Sequence, residues 1–262
     1  MPGRGSQQRR KARPCPVGAG HSASGRLPEE FQVRVGVVFG SSSGVGAAVT
    51  ERRRAQGDKV ISASRRPRSG PDYVQTDIRD PAAVDTCVSI AADHGPVDYI
   101  INCVGIGLYA PLESARVDLW KEVFETNVLG LLCVLSSAQR LCPTLKQLVH
   151  ISSLAALRMS ETPGSVSYSL SKMAAHQAVI DHRTRMRQED RPTKVTTVTP
   201  GFIGGTSFEA TYSLTAPHDL ELYDGFAPLA AEDVAAAVDY VLSLPDTVEV
   251  RDLTLAPMGQ VR

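Results

Sequence analysis

The sequence predicts an α/β fold: a single doubly wound, mostly parallel β-sheet with helices on both faces. Short β-branched runs alternate with longer helical segments from residue 33 to the C-terminus, the pattern of successive βαβ units. The strands are apolar almost throughout, as expected where both faces of a parallel strand are covered. Only about ten residues separate the second strand from the third, too few for a crossover helix, so that connection is abbreviated.

VRVGVVFG (33–40) is the first strand, a β-branched run ending at glycine. A helix follows over 44–56, where small apolar residues give way to charge, and KVISAS (59–64) and YVQTDI (73–78) are the next two strands. PAAVDTCVSIAADHG (81–95) opens with proline and closes with glycine, the start and stop signals of a helix. VDYIINCVG (97–105) is the fourth strand, 116–141 a long helix, QLVHISS (147–153) the fifth strand, 165–188 a helix and KVTTVTPG (194–201) the sixth strand. AAEDVAAAVDYVLSL (230–244) is the final helix and VRDLTLAP (250–257) the last strand. No repeat of solenoid or propeller length is visible.

Among 262 residues, 28 basic and 28 acidic side chains cancel. No global field therefore draws the chain to nucleic acid or an acidic membrane. No apolar run approaches the roughly 20 residues of a membrane span. Cysteines stand at 15, 87, 103, 133 and 142, without CxxC or zinc-ligand spacing. That usage predicts buried thiols in a reducing compartment, hence a cytoplasmic protein, and no metal site. Residues 1–30 hold Arg4, Arg9, Arg10, Lys11, Arg13 and Arg26, with no acid before Glu29. So few large apolar residues cannot offset ordering entropy. A disordered extension, an upstream start, a transit peptide and a basic docking arm all fit, and 31–262 forms the folded domain.

FGSSSGVG (39–46) joins the first strand to the first helix. Gly40, Gly44 and Gly46 permit a tight turn and close backbone approach to a pyrophosphate, and the helix N-terminus beyond offers free N–H groups. Ser41, Ser42 and Ser43 add hydroxyls, and Val45 lies between the last two glycines. The second strand ends Ser64-Arg65-Arg66. The acid that usually binds a ribose 2′-OH is missing there, and two forked guanidinium groups suit a 2′-phosphate. This favours NADP(H) over NAD(H).

Gly40, Gly44, Gly46, Asp77, Asn102-Cys-Val104-Gly105, Asn127, Ser153, Tyr168-Ser-Leu-Ser-Lys172 and Pro200-Gly201 occur in the order and rough spacing of the short-chain dehydrogenase/reductase family, which the chain resembles over 33–262. The C-terminal segment, with its helix, Leu-Pro, strand and terminal P-x-x-Q-V, is similar to the tail of NADP-dependent 3-hydroxy acid (serine) dehydrogenases and of clavulanate dehydrogenase. The resemblance implies a Rossmann-type domain, a nicotinamide cofactor and a carbonyl or alcohol substrate. It implies that Tyr168 donates the proton, Ser153 holds the substrate oxygen, Lys172 binds the nicotinamide ribose, and Asn127 anchors a relay water. An unperturbed tyrosine, pKa roughly 10, is a poor acid–base catalyst at neutrality. A lysine at i+4 lies on the same helix face and is expected to lower that pKa. Asp77 and Ile78 would meet the adenine, Asn102, Val104 and Gly105 would line the adenine ribose and brace the sheet, and Pro200, Gly201, Phe202 and Ile203 would hold the nicotinamide. Family members are commonly homotetramers, so a tetramer or dimer built on 116–141 and 165–188 is implied.

The chain departs from the family pattern in four places. Phe39 replaces a threonine, NCVG replaces NNAG, the threonine after Pro-Gly is displaced to Thr206, and Ser153 and Tyr168 stand fifteen apart. The extra length falls in RMSETPGS (158–165), beside the substrate. On the substrate side, the loop over 202–228 carries Phe208, Tyr212, Leu214, Tyr223 and Phe226, which either close over a substrate or pack on the body. It contains no arginine to hold a carboxylate. The expected activity is NADP(H)-dependent reduction of a ketone or aldehyde, or the reverse, as in a ketoreductase of secondary metabolism. A 3-hydroxy acid dehydrogenase and a non-catalytic nucleotide-binding protein are the alternatives.

Overall fold

The computed structural model describes residues 33–260 apart from 159, 161, 192 and 218–224. The expectations for residues 1–30 and for Tyr223 lie outside the described residues. Seven strands form one parallel sheet: β1 (Val35–Phe39), β2 (Lys59–Ser64), β3 (Tyr73–Gln75), β4 (Val97–Asn102), β5 (Gln147–Ile151), β6 (Lys194–Pro200) and β7 (Asp252–Leu255). They are ordered β3-β2-β1-β4-β5-β6-β7. The chain winds outward from β1 through β2 to β3, then returns to β1's other side for β4. Connections leaving β1 and β4 therefore diverge, and a crevice opens above their carboxyl ends.

Side-chain alternation along the strands divides the core in two. On one face Val35, Val37 and Phe39 of β1 pack with Val84 and Val88 of α2 (Pro81–Ala92), Leu131 and Val134 of α4 (Gly130–Leu141) and Val179 of α5 (Val166–Gln188). On the other, Val38, Ile101 and Val198 meet Val49 of α1 (Gly44–Ala55) and Val238 of α7 (Ala231–Ser243). Asp80 caps α2, accepting from the Ala82 N–H at 2.9 Å, with Pro81 in the first turn.

The β2–β3 connection contains no helix, as its length requires. β3 stops at Gln75, so Asp77 and Ile78 sit in the turn that follows. The long helix expected over 116–141 is instead α3 (Val117–Phe124), a π-turn (Glu125–Leu129) and α4. Another helix, α6 (Ser207–Ser213), lies within the 202–228 loop. Among the described residues, no helix is long and apolar enough to cross a membrane.

A buried polar cluster holds α1, β4 and α7 together. The Asp58 carboxylate accepts from Arg53 Nε and Nη2 at 2.8 and 2.6 Å and from Tyr99 Oη at 2.8 Å. Arg53 also reaches Asp239 of α7 at 3.3 Å, and its guanidinium lies 5.6 Å from the Tyr99 ring centre. That ring fills the space left by Gly36, where a Cβ would stand 2.0 Å from it. Removing one member of a buried ion pair strands the other in low dielectric. Asp58→Ala should therefore lower the unfolding free energy by about 3–5 kcal/mol in urea denaturation at pH 7. A loss below about 1 kcal/mol would mean the pair behaves as a solvated surface bridge.

Candidate active site

The cleft above the strand ends has a volume of about 1100 Å³. Its floor begins at the glycine turn. Gly40 has φ +83°, and a Cβ there would stand 2.9 Å from the Cys103 carbonyl carbon and the Val104 nitrogen. A Cβ on Gly46 would lie 2.2 Å from the Gly40 oxygen, and Gly44 has φ +53°. These positions admit only glycine without rearrangement, and the bare backbone leads into the first turn of α1. That is the cradle a pyrophosphate needs, so the residues present fit a dinucleotide. Ser42, Ser43, Val45 and Gly46 line the cleft; Ser41 does not. Its hydroxyl turns inward to the Ala63 carbonyl at 3.1 Å, which removes it from the set of available donors.

At the far end, Ser64, Arg65 and Arg66 line the cleft, and both guanidinium-bearing residues are exposed. Arg66 Nη2 donates to Ser43 Oγ at 3.3 Å, which in turn donates to Ser207 Oγ at 3.1 Å. Arg68, not anticipated, donates to the Ser42 carbonyl at 2.6 Å. Tyr73 braces the same loop, donating to the Ser64 carbonyl at 2.8 Å and to that of Arg66. Asp77 is held by Arg79 through contacts of 2.5–3.1 Å, and those hydrogen bonds keep its carboxyl below the usual range despite partial burial. Its negative charge is therefore already matched. Ile78 lines the cleft from the core, its side chain against Gly130.

Val104 and Gly105 line the cleft, whereas Asn102 does not. Asn102 is buried, contacting His150 Nδ1 at 3.3 Å and accepting from the Val104 N–H at 3.2 Å. Of its two expected roles, these contacts serve the bracing of the strand end. Asn127 is also buried. Its Oδ1 accepts from the Ile106 N–H at 2.8 Å, while Nδ2 donates to the Ile106 carbonyl at 2.8 Å and Ser171 Oγ at 2.9 Å. The amide thus pins the loop after β4 to α5. It sits in the π-turn, a helix irregularity frequent at functional sites.

Ser153, Tyr168 and Lys172 do converge on the cleft. Ser153 caps a 3₁₀ turn, its Oγ accepting from the Ala155 N–H at 3.2 Å. Lys172 Nζ lies 5.9 Å from the Tyr168 ring centre and 3.4 Å from the Ile151 carbonyl. A Cβ on Gly105 would come within 2.8 Å of that nitrogen, so glycine there leaves room for the ammonium. The pair is side by side, as the i, i+4 spacing requires. The expected lowering of the tyrosine pKa is not found. Burial of the mostly covered ring disfavours phenolate and pushes it up to about 12, with Ser153 opposing. The burden falls on the lysine, which burial brings down to about 8.

Pro200, Gly201, Phe202 and Ile203 line the opposite side with Gln260. Gln260 Oε1 accepts from the Phe202 N–H at 3.1 Å, and a Cβ on Gly201 would stand 2.2 Å from that oxygen. The P-x-x-Q-V tail signalled this residue, but spacing alone gave it no role. Phe208 of α6 lies over Tyr168 with ring centres 4.9 Å apart, and Tyr212 stacks on Phe208 at 5.9 Å. Tyr212 is fully packed and its hydroxyl donates to the Pro163 carbonyl, whereas Leu214 is exposed at the mouth. The loop therefore divides: part packs on the body and part covers the cleft. Arg158, Ser160, Thr162, Pro163 and Ser165 from the longer Ser153–Tyr168 segment form the facing wall.

A family model described as short chain dehydrogenase matches residues 34–216. A farnesol dehydrogenase of Aedes aegypti is 30% identical over 251 residues, covering 87% of this chain and 97% of that protein. An uncharacterized oxidoreductase of Staphylococcus aureus (strain USA300) is 28% identical over 242 residues, covering 86% and 97%. Among solved structures, the closed form of serine dehydrogenase complexed with NADP+ superposes with a TM-score of 0.73 at 28% identity, covering 84% of this chain and 93% of that one. With the parallel sheet, the glycine cradle and the grouped serine, tyrosine and lysine, these likenesses show that the chain belongs to the short-chain dehydrogenase family of oxidoreductases.

Proposed function

We propose that the protein is an NADP(H)-dependent oxidoreductase interconverting a ketone or aldehyde with its alcohol, in the manner of a ketoreductase. The observation that carries this reading is the meeting of Ser153, Tyr168 and Lys172 at one end of a cleft whose other end is a glycine cradle beside Arg65 and Arg66. The nicotinamide supplies the hydride when bound. The chain supplies position and a proton. Gly40, Gly44, Val45 and Gly46 receive the pyrophosphate, and Arg65 and Arg66 meet the 2′-phosphate. Asp77 is paired with Arg79, so no uncompensated carboxylate repels that phosphate. Pro200 to Ile203, steadied by Gln260, hold the nicotinamide end. Tyr168 stays protonated at neutral pH because its surroundings disfavour phenolate, so it reaches a substrate oxygen with its proton in place. Ser153 shares that oxygen. The Lys172 ammonium stabilises the phenolate left after proton transfer.

Titration followed by nicotinamide fluorescence should give NADPH binding at least tenfold tighter than NADH, with Arg65→Ala/Arg66→Ala removing the difference. That loss corresponds to about 1.4 kcal/mol. Equal affinities would refute the 2′-phosphate assignment. Tyr168→Phe should keep NADPH affinity and abolish carbonyl reduction across a ketone and aldehyde panel.

Lys172 gives a second test. Its folded pKa lies below the unfolded value, so between about pH 8 and 10.5 the unfolded state holds more protons and stability rises with pH. Below pH 8 the buried ammonium is a burden. Lys172→Met should raise the melting temperature at pH 7 while abolishing turnover. A lower melting temperature would mean that the lysine serves the fold.

Assembly into a homo-oligomer, dimer or tetramer, is part of the same reading. Phe124, Leu129 and Leu132 along α3–α4, with Leu170 of α5, are exposed apolar side chains on the helices expected to associate. Leu129→Glu/Leu132→Glu should reduce the mass found by light scattering to one chain. An unchanged multimer would exclude this face. A cytoplasmic location is supported by the four free cysteines among the described residues.

A further inference from the structure

We propose that Arg158 makes this site selective for a carbonyl substrate that also carries a carboxylate. The inference rests on the oxidoreductase reading above and names its substrate class. Among the described residues, the charged side chains lining the cleft are Arg65, Arg66, Asp77, Arg79, Arg158 and Lys172. The first four belong to the adenosine end, where Asp77 and Arg79 neutralise each other. Lys172 is buried beside Tyr168. Arg158 is left alone on the substrate wall, exposed and without an acidic partner among the described residues. Among the described residues, its one hydrogen bond is a backbone one, donated to the Leu154 carbonyl at 3.2 Å.

The wall that carries it is anchored. Ser160 N–H donates to Ser169 Oγ of α5 at 3.2 Å, Tyr212 of α6 donates to the Pro163 carbonyl, and the Ala110 N–H donates to the Gly164 carbonyl at 3.0 Å. The Ser160 hydroxyl accepts from the Thr162 N–H at 3.2 Å, which leaves its own hydrogen to donate. Phe208 and Leu214 add apolar surface to the mouth, with Thr162 and Thr211 beside them. A planar guanidinium on the wall of the cleft is suited to bidentate capture of a carboxylate. Among the described residues, no acidic side chain lines that half of the cleft. The arginine missing from 202–226 is thus supplied by the opposite wall.

The test compares 4-acetylbenzoate and levulinate with their methyl esters, which keep the ketone and lose the charge. Two readouts are taken: NADPH-dependent reduction, and calorimetric binding to the protein with NADP+, which cannot reduce the ketone. For the wild type, at least one acid should exceed its ester in kcat/KM and in affinity. Arg158→Ala should remove about 10- to 100-fold of that advantage, with a smaller effect on the ester than on the acid. Arg158→Lys should retain part of it. Unaltered circular dichroism and melting temperature would show that the variants fold. Acid and ester turned over alike, and unaffected by Arg158→Ala, would overturn the carboxylate assignment while the oxidoreductase reading stands. No turnover of any ketone, with acid binding still dependent on Arg158, would uphold the anchor and count against that reading. Neither turnover nor acid binding would overturn the anchor and count against both.

Discussion

Backbone meets backbone where Gly40 leaves β1, and the geometry above the sheet follows from that contact. The chain at Cys103 and Val104 passes so close that no side chain fits between them. Two strands with diverging connections are held together at their carboxyl ends, and the crevice begins there. Gly46 makes a similar close approach to the Gly40 carbonyl, which aims the first turn of α1 into the crevice. Gly105 then clears the space for Lys172. Each glycine is a place where one element must come nearer than a Cβ allows.

Charge is distributed around this frame by burial more than by pairing. Lys172 and His150 lie under the cleft, and both are pushed toward neutrality by desolvation, the histidine also by the nearby lysine. Asn102 and Asn127 spend their amides on neighbouring backbone and side chains. The polar groups beneath the site fix shape, while those facing the cleft, Ser153 and Tyr168, remain available for chemistry.

Much of this was legible in the sequence, because period and punctuation are local. β-Branched runs, Pro81 and the terminal glycines located the strands and helices, and the i, i+4 spacing put Tyr168 beside Lys172. The π-turn was not legible, since Val123, Leu131 and Val134 keep a helical apolar period across it. α6 was missed because SFEATYS is short, although Thr206 at its N-cap and Glu209 three residues on form a helix-start pattern. The direction of the Tyr168 shift depends on how much protein surrounds the phenol, a property of packing and not of spacing. Asn102 and Ser41 sit where their neighbours face the cleft, yet side-chain orientation at a strand end depends on what each amide or hydroxyl finds nearby. Arg158 lay outside the segment from which a carboxylate partner was sought, and only the folding of two distant loops onto one mouth brings it there.

The sheet's outer strands have a consequence of their own. β3 contributes three residues and β7 four, and the connection into β3 lacks a helix that would lengthen its flank. An edge this short offers a passing chain few unpaired N–H and C=O groups, so it makes a poor template for strand addition. The lengths that leave β3 only just long enough to present Asp77 to the crevice also blunt the domain against amyloid-like growth.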